Sequence, residues 1–339
     1  MTAQLTNQFN QPNGFQFGTF ENARGKTVRF GQAKAQTKKA KGSLVIGPGY
    51  GETIEKYFEL ISELTAAGYD TYIIDWVGQG GSERMDRNEP QKPYDNKDFM
   101  THHRDDLHQF VTRVIDLPQN HKLGYIGNSM GGHIGMRLIE RYSTLFDSVS
   151  LNAPFFEINT RGWPPSFAAA LAATKKLMGH GRRYVPGGGE WGLRNAFNGN
   201  SKTSCPKRYA EMNRIFESKA RLRMGDPTVN WVLHSRDSLG MLREKLLLGR
   251  INTPIQIAVS GQDKTVCPDA QKRALKFLPN AVGLYYKEAR HEIWMERDEI
   301  RGPWLKNMLH IINTTFDTKL KPVRVSKKLP IYKKPGNDR

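Results

Sequence analysis

Gly127-Asn128-Ser129-Met130-Gly131 carries the pattern G-x-S-x-G, in which a serine stands two positions from each of two glycines. An apolar run over 123–126 precedes the motif, and an amphipathic helical pattern over 130–142 follows it. A strand that turns sharply into a helix exposes the side chain at the turn above the sheet, which suits a nucleophile. We therefore predict that Ser129 is a catalytic nucleophile.

A serine nucleophile needs a base, and the base needs a carboxylate to orient it. Asp263 follows a predicted buried strand at 255–259, and His291 follows another at 282–286. The carboxyl ends of parallel strands meet at one edge of a sheet, so we predict that Asp263 is the acid and His291 the base. The other candidates fit this pattern less well: Asp226, Asp237 and Asp269 lack a preceding strand, His234 and His310 lie in helical patterns, and His133 precedes the acid in sequence.

The negative oxygen that forms during acyl transfer needs backbone N–H donors. One donor should be Met130, the residue after the nucleophile. The other should come from the glycine-rich loop 47–52, which follows the buried run 43–47, and Tyr50 is the predicted donor. A phosphate-binding loop fits this segment less well, because it lacks G-x-x-x-x-G-K-[ST].

Short apolar runs alternate with helical patterns through residues 15–153 and again through 254–318. This alternation predicts an α/β fold with a mostly parallel central sheet and helices on both faces. Residues 154–253 break the alternation and are predicted to form a helical cap inserted into the core. The polar segment 1–14 is predicted to be disordered, and 319–339 to form a basic C-terminal tail.

The net charge of +18 is concentrated in two segments: the cap carries 17 basic and 7 acidic residues, and the tail 8 and 1. This excess favours a phosphate headgroup or peripheral contact with an anionic membrane, although a merely solvated basic face would look the same. No motif for specific nucleic-acid binding accompanies it. The two distant cysteines and scattered histidines predict no metal, and we expect no cofactor.

The longest apolar stretches are too short to span a membrane, and the first residues do not resemble a secretory signal. We therefore expect a cytoplasmic protein that contacts the inner membrane face peripherally. The sequence does not indicate an oligomeric state.

Over residues 43–317 the sequence resembles α/β-hydrolases of the monoglyceride lipase and lysophospholipase L2 group, through G-x-G-E, IIDWVGQGGS, GNSMGG, LNAP, GQDKTV and EARHE. In the cap, NRIFESKARLRMGDPTVNWV (213–232) resembles lysophospholipase L2 in particular. The resemblance implies an α/β-hydrolase fold and the same five site residues. Two positions depart from the family pattern: Pro48 stands in place of a histidine, and Val77 in place of an arginine.

These observations predict a serine hydrolase that cleaves a carboxylic ester of a single-chain lipid through an acyl-enzyme on Ser129, with lysophospholipid favoured and monoacylglycerol next. Trp163 and Phe167 are candidates for an acyl-chain pocket, or for the cap's own core. Arg182 and Arg183 are candidates for headgroup contacts. Two alternatives stay open: a non-catalytic lipid- or ligand-binding protein on a hydrolase scaffold, and an esterase, thioesterase or acyltransferase for another substrate class.

Overall fold

A computed structural model of the protein describes residues 8–117, 121–159, 170, 172–192, 196–241 and 245–317. An eight-stranded sheet runs through its centre, with strands β1 (Gln16–Glu21), β2 (Thr27–Ala33), β3 (Gly42–Gly47), β4 (Tyr69–Ile74), β5 (Leu123–Asn128), β6 (Ser148–Asn152), β7 (Ile255–Ser260) and β8 (Ala281–Tyr286). Their order across the sheet is β1-β2-β4-β3-β5-β6-β7-β8. β2 pairs antiparallel with β1 and β4, and every other neighbouring pair is parallel. The predicted mostly parallel sheet is therefore confirmed.

Helices cover both faces of this sheet, and further helices lie in the segment between β6 and β7. In chain order they are α1 (Phe58–Ala66), α2 (Phe99–Gln109), α3 (Met130–Arg141), α4 (Pro206–Ser218), α5 (Val229–Met241), α6 (Lys245–Leu248), α7 (Pro268–Leu275) and α8 (Asp298–Asp317). A 3₁₀ turn, Ile54–Tyr57, leads into α1, and a π-helical turn, Phe110–Val114, continues α2. The last helix, α8, contains Pro303 as its sixth residue.

Two apolar cores lie on opposite sides of the sheet, and β3 shows why. Leu44 and Ile46 point into the core that α1 and α8 cover, whereas Val45 points into the core beneath α2 and α3. Successive side chains of a strand face opposite ways, so a strand covered on both sides is buried at every position and is mostly apolar. Every residue of β3 to β7 is buried, as that arrangement requires.

The chain leaves the sheet after β6 and returns to it at β7, and these two strands are direct neighbours. The described residues between them include α4, α5, α6 and a π-helical turn at Lys176–His180. Trp163, Phe167 and the tail 319–339 lie outside the described residues. Of the segment 1–14, residues 8–14 are described, and the carbonyl of Pro12 accepts a hydrogen bond from the amide of Phe15 at 3.0 Å.

The loops that follow β3, β5, β7 and β8 all leave the same edge of the sheet, because these four strands are parallel. Each loop contains one or two of the predicted site residues. The topology therefore brings together residues up to about 240 positions apart in the sequence.

Candidate active site

Ser129 occupies the sharp turn between β5 and α3. Its backbone is in an unusual conformation for a residue with a side chain, with φ 48° and ψ −113°. Such a conformation costs on the order of 1–3 kcal/mol and persists only where the surroundings enforce it. Here the amide of Ser129 donates to the carbonyl of Asn152 at 3.0 Å, and its carbonyl accepts from Phe155 N at 2.9 Å. These bonds hold the turn against the end of β6.

The glycines of the turn are required by close packing. A Cβ on Gly131 would lie 2.0 Å from the carbonyl oxygen of Gly47, and a Cβ on Gly127 would lie 2.8 Å from the Cα of Gly132. The first contact brings α3 against the loop after β3, and the second lets strand and helix meet. The G-x-S-x-G pattern therefore positions the serine as the sequence predicts.

The structure brings the side chains of Ser129, His291 and Asp263 together in a hydrogen-bonded row. His291 Nε2 lies 2.9 Å from Ser129 Oγ, and His291 Nδ1 lies 2.7 Å from Asp263 Oδ2. The other carboxylate oxygen, Asp263 Oδ1, accepts from the amides of Thr265 and Val266 at 2.7 and 3.0 Å. An ionised carboxylate only accepts, so the histidine proton lies on Nδ1 and Nε2 is free to accept the serine proton.

Charge around His291 affects its protonation. Burial of the imidazole opposes the charged form, but the carboxylates of Asp263, Glu292 and Glu52 outweigh burial and raise the pKa of His291 above 6.5. A base must be neutral to take a proton, so the row can act as a nucleophile–base pair only above this raised pKa.

The loop 47–52 is held from both sides of Tyr50. The amide of Gly49 donates to the carboxylate of Glu52, and the amide of Gly51 donates to Gln79 Oε1 at 3.2 Å. Gln79 Nε2 in turn donates to the carbonyl of Gly49 at 2.8 Å. Gln79, in the loop after β4, therefore supports the loop after β3. Tyr50 lies between Gly49 and Gly51, which are both held by hydrogen bonds.

The side chain of Tyr50 points towards the cap. Its hydroxyl donates to the carbonyl of Gly225 at 2.9 Å, and its ring meets the indole of Trp231 edge-on with centroids 4.8 Å apart. Pro48, where the resembling family has a histidine, presents its carbonyl to Trp76 Nε1 at 2.8 Å. With proline in place of histidine at position 48, the loop is still anchored to Trp76, in the loop after β4.

Comparison with known proteins agrees with this geometry. Residues 38–298 match the hydrolase family described as serine aminopeptidase, S33. The chain belongs to this family. Lysophospholipase L2 of Escherichia coli (strain K12) is 30% identical over 299 residues, which cover 84% of each chain. The probable lysophospholipase L2 of Haemophilus influenzae is 27% identical over 270 residues, which cover 80% of this chain and 83% of the relative.

Two solved structures share the fold. A soluble variant of monoglyceride lipase from Saccharomyces cerevisiae, in complex with a substrate analog, superimposes with a TM-score of 0.72 at 16% identity, covering 91% of this chain and 97% of that one. A thermostable carboxyl esterase from Bacillus coagulans gives 0.71 at 16% identity, covering 89% and 99%. The predicted α/β-hydrolase fold and the resemblance to this group are confirmed.

The S33 hydrolase has a cavity of about 380 Å³ directly above Ser129. Its walls are mostly apolar and come from the core and the cap: Tyr50, Ser129, Met130, Phe155, Ile158, Ala172, Lys175, Val185, Pro186, Pro227, Val229, Trp231, Val232, Thr265 and Val266. Both predicted oxyanion donors, Tyr50 and Met130, are among these residues. Lys175 is the one charged residue among the described residues that line the cavity, and no sequence motif marks it.

The two predicted headgroup arginines lie elsewhere on the S33 hydrolase. Arg182 lines a separate polar crevice and approaches Asp86 at 3.4 Å and Glu89 at 3.5 Å. The side chain of Arg183 is exposed and does not line the cavity. The basic residue that reaches the cavity from the same stretch of cap is Lys175.

Within the described ranges, no cluster of histidine, cysteine, aspartate or glutamate side chains has the arrangement of a metal site. The same part of the chain contains no helix that is long and apolar enough to cross a membrane. Cys205 and Cys267 are not joined in a disulfide.

Proposed function

We propose that this S33 hydrolase cleaves the carboxylic ester of a single-chain lipid, with lysophospholipid favoured and monoacylglycerol next. The observation that carries the proposal is that Ser129, bonded to His291 and through it to Asp263, opens onto an apolar cavity. The names of the relatives add support, since the two described above are named lysophospholipase L2 and probable lysophospholipase L2.

In the proposed reaction, Ser129 Oγ attacks the ester carbonyl while His291 Nε2 takes the hydroxyl proton. The carbonyl oxygen becomes negative and is bound by the amides of Tyr50 and Met130. The C–O bond to the leaving alcohol then breaks, and His291 returns the proton to that oxygen. Water, activated by His291 in the same way, cleaves the acyl-Ser129 ester and releases the fatty acid. Asp263 stabilises the imidazolium in both halves.

The cavity fits an acyl chain better than a peptide. It lies within the range of about 300–1,000 Å³ that is typical of small-molecule sites, and its walls offer few hydrogen-bonding groups. Each buried methylene is worth about 0.8 kcal/mol, so the apolar wall gives a chain of several carbons substantial binding energy. A peptide would bring amide groups into this space without partners.

A panel of esters tests the proposal. We expect turnover of lysophospholipids and monoacylglycerols, with slower turnover of short p-nitrophenyl esters, which fill less of the cavity. Medium-chain thioesters in the same panel test a thioesterase. Hydrolysis of thioesters alone, or of none of the lipids, would contradict the proposed substrate class.

Lys175 supports the preference for a lysophospholipid, because it places one positive charge at an otherwise apolar cavity. We expect Lys175→Gln to lower kcat/KM about 10- to 100-fold for a lysophospholipid, the value of one charge-assisted hydrogen bond to phosphate. Turnover of monoacylglycerol should hardly change. The neighbouring Lys176, whose Nζ lies 2.9 Å from His234 Nε2, provides the control variant Lys176→Gln. An equal loss on both lipids would show that Lys175 does not bind the headgroup.

We also propose that the cap contacts an anionic membrane. The turn at Lys176–His180 presents Leu177 and Met178 to solvent with 89% and 64% of their surface exposed. Basic residues flank this apolar pair, from Lys175 to Arg183. Apolar side chains that enter the lipid and cations that meet the headgroups act together at such a surface. The turn adjoins Lys175, which lines the cavity, so membrane contact at this turn would place the cavity beside the lipids from which the substrate comes.

Vesicle co-sedimentation tests the membrane contact. We expect binding to phosphatidylglycerol vesicles, weaker binding to phosphatidylcholine, and release as salt rises, since the Debye length is only ~8 Å at physiological ionic strength. Leu177→Ser/Met178→Ser should weaken binding at least about tenfold, given the free energy of burying two such side chains. Phe277→Ser, at another exposed apolar residue, is the control. Salt-independent binding, or equal binding of both variants, would overturn this proposal.

A further inference from the structure

Three ionisable side chains are buried together beside the hydrogen-bonded row: Glu52, Lys56 and Glu292 are only 2%, 5% and 2% exposed. Lys56 Nζ lies 3.1 Å from Glu292 Oε2 and 3.6 Å from Glu52 Oε1. Lys56 also lies 5.4 Å from the ring centroid of Trp294. Buried charges are costly unless each is paired, so a cluster of three calls for a functional explanation.

Each carboxylate of this cluster is adjacent to a residue of the site. Glu52 accepts from the amide of Gly49, next to Tyr50, and from Asn128 Nδ2 at 2.8 Å, next to Ser129. Glu292 immediately follows His291. The loops after β3, β5 and β8 therefore meet at one buried ion cluster, although Lys56 and Glu292 are 236 residues apart in the chain.

We propose that Glu52, Lys56 and Glu292 are positioning residues, which lock the loop of Tyr50 and the loop of His291 to Ser129 and set the charge that His291 experiences. This inference rests on the proposed function, because positioning matters only if these residues react. None of the three is placed to touch the substrate, since none lines the cavity above Ser129.

The electrostatics of the cluster support this assignment. Burial opposes charge on Lys56, but Glu292 and Glu52 outweigh it and raise the pKa of Lys56. Burial likewise disfavours the ionised form of Glu292, yet Lys56, Lys202 and His291 lower its pKa. Lys56 and Glu292 are therefore both charged at neutral pH. His291 faces Asp263 from the loop after β7, Glu52 from the loop after β3, and Glu292 with its partners Lys56 and Lys202.

The test is the pKa of His291, read from the acid limb of kcat/KM on a short p-nitrophenyl ester. Glu292→Gln removes a negative charge beside the imidazole, so the acid limb should move to lower pH by about half a unit or more. Lys56→Gln/Glu292→Gln removes one charge of each sign, so its limb should lie closer to that of the wild type. A purely structural cluster would move neither limb.

Glu59→Gln is the matched control, because Glu59 forms another largely buried ion pair, with Arg208, 2.6 Å away. It should lower thermal stability without moving the limb. If Glu292→Gln does not fold, the double variant Lys56→Gln/Glu292→Gln is used instead, because it removes both charges of the pair and leaves neither one buried without its partner. In that case the readout is kcat: loss of the shared ion pair should lower kcat of the double variant on the short ester, and an unchanged kcat would overturn the inference.

Coupling between the two loops gives a second readout. Glu52→Gln and Glu292→Gln should each lower kcat about tenfold, and the double variant should lose less than the product of the two, because both act through Lys56. Simple multiplication of the losses would contradict a shared unit.

NMR titration of the His291 imidazole measures the same pKa without turnover. It separates the two possible failures. An inactive wild type with the expected shifts would refute the proposed function alone, whereas an active wild type with unmoved pKa values would refute the positioning role alone.

Discussion

Ser129→Ala is expected to lower kcat on every ester by ~10⁴–10⁶, the usual cost of removing a triad nucleophile. The Ser129 hydroxyl donates to His291 Nε2 at 2.9 Å, and among the described residues no second hydroxyl bonds to this nitrogen. Alanine fits the turn as well as serine does, because the bonds that enforce φ 48° are made by the backbone. Thermal unfolding should therefore be close to that of the wild type.

A fluorophosphonate probe gives an independent measurement, since an activated serine displaces fluoride and forms a stable phosphonate ester. The wild type should be labelled at Ser129 and the variant should not. Ser260→Ala is the control, because Ser260 is another buried serine at the end of a central strand, β7, and does not line the cavity. Labelling or turnover that survived Ser129→Ala would contradict the mechanism. An unreactive Ser129 in the wild type would favour a lipid-binding protein without catalysis.

The strand pattern was sufficient to predict which residues meet at the edge of the sheet. Asp263 and His291 each follow a short, mostly apolar run, and such runs between helical patterns are typical of the strands of a parallel sheet. The structure places these residues in the loops after β7 and β8 and within bonding distance of one another. His133, one turn after Ser129, instead contacts Ser238 Oγ at 2.7 Å, and burial lowers its pKa to about 3.

Contacts inside the cap could not be predicted in this way. Lys175 and Arg182 are seven residues apart and chemically similar, yet only Lys175 lines the cavity, while Arg182 faces Asp86 and Glu89. Which side of a short helical segment faces the core depends on how the segment docks, and a sequence without regular periodicity does not encode this locally.

The buried ion cluster of Glu52, Lys56 and Glu292 could not be predicted from the sequence either. Glu52 reads as part of a glycine-rich loop, Lys56 as a polar position on an amphipathic helix, and Glu292 as a neighbour of His291. Nothing in the local pattern indicates that a lysine will be buried between two carboxylates, because lysine is almost never buried unless it is paired. Only the tertiary fold brings the pair Lys56–Glu292 together.

Asp263→Asn is expected to lower kcat/KM by about 10⁴, less than the loss of the nucleophile but far more than a change in packing would cost. The amides of Thr265 and Val266 both donate to Asp263 Oδ1, so an asparagine must keep its carbonyl oxygen at that position. Its NH₂ group must then face His291 Nδ1. An NH₂ group donates, so Nδ1 becomes the acceptor and the histidine proton moves to Nε2, opposite Ser129.

A histidine in that tautomer cannot accept the serine proton at Nε2, although the positions of the non-hydrogen atoms are unchanged. The loss should therefore appear in kcat/KM and in the fluorophosphonate labelling rate together, with little change in thermal stability. Asp226→Asn is the matched control, because Asp226 Oδ2 also accepts from a backbone amide, that of Gly189 at 3.0 Å, but within the cap and away from His291. In the structure His291 Nδ1 bonds to Asp263, and neither Asp226 nor Asp237 contacts the imidazole. If Asp226→Asn or Asp237→Asn reduced turnover more than Asp263→Asn, the assignment of Asp263 as the acid would be wrong.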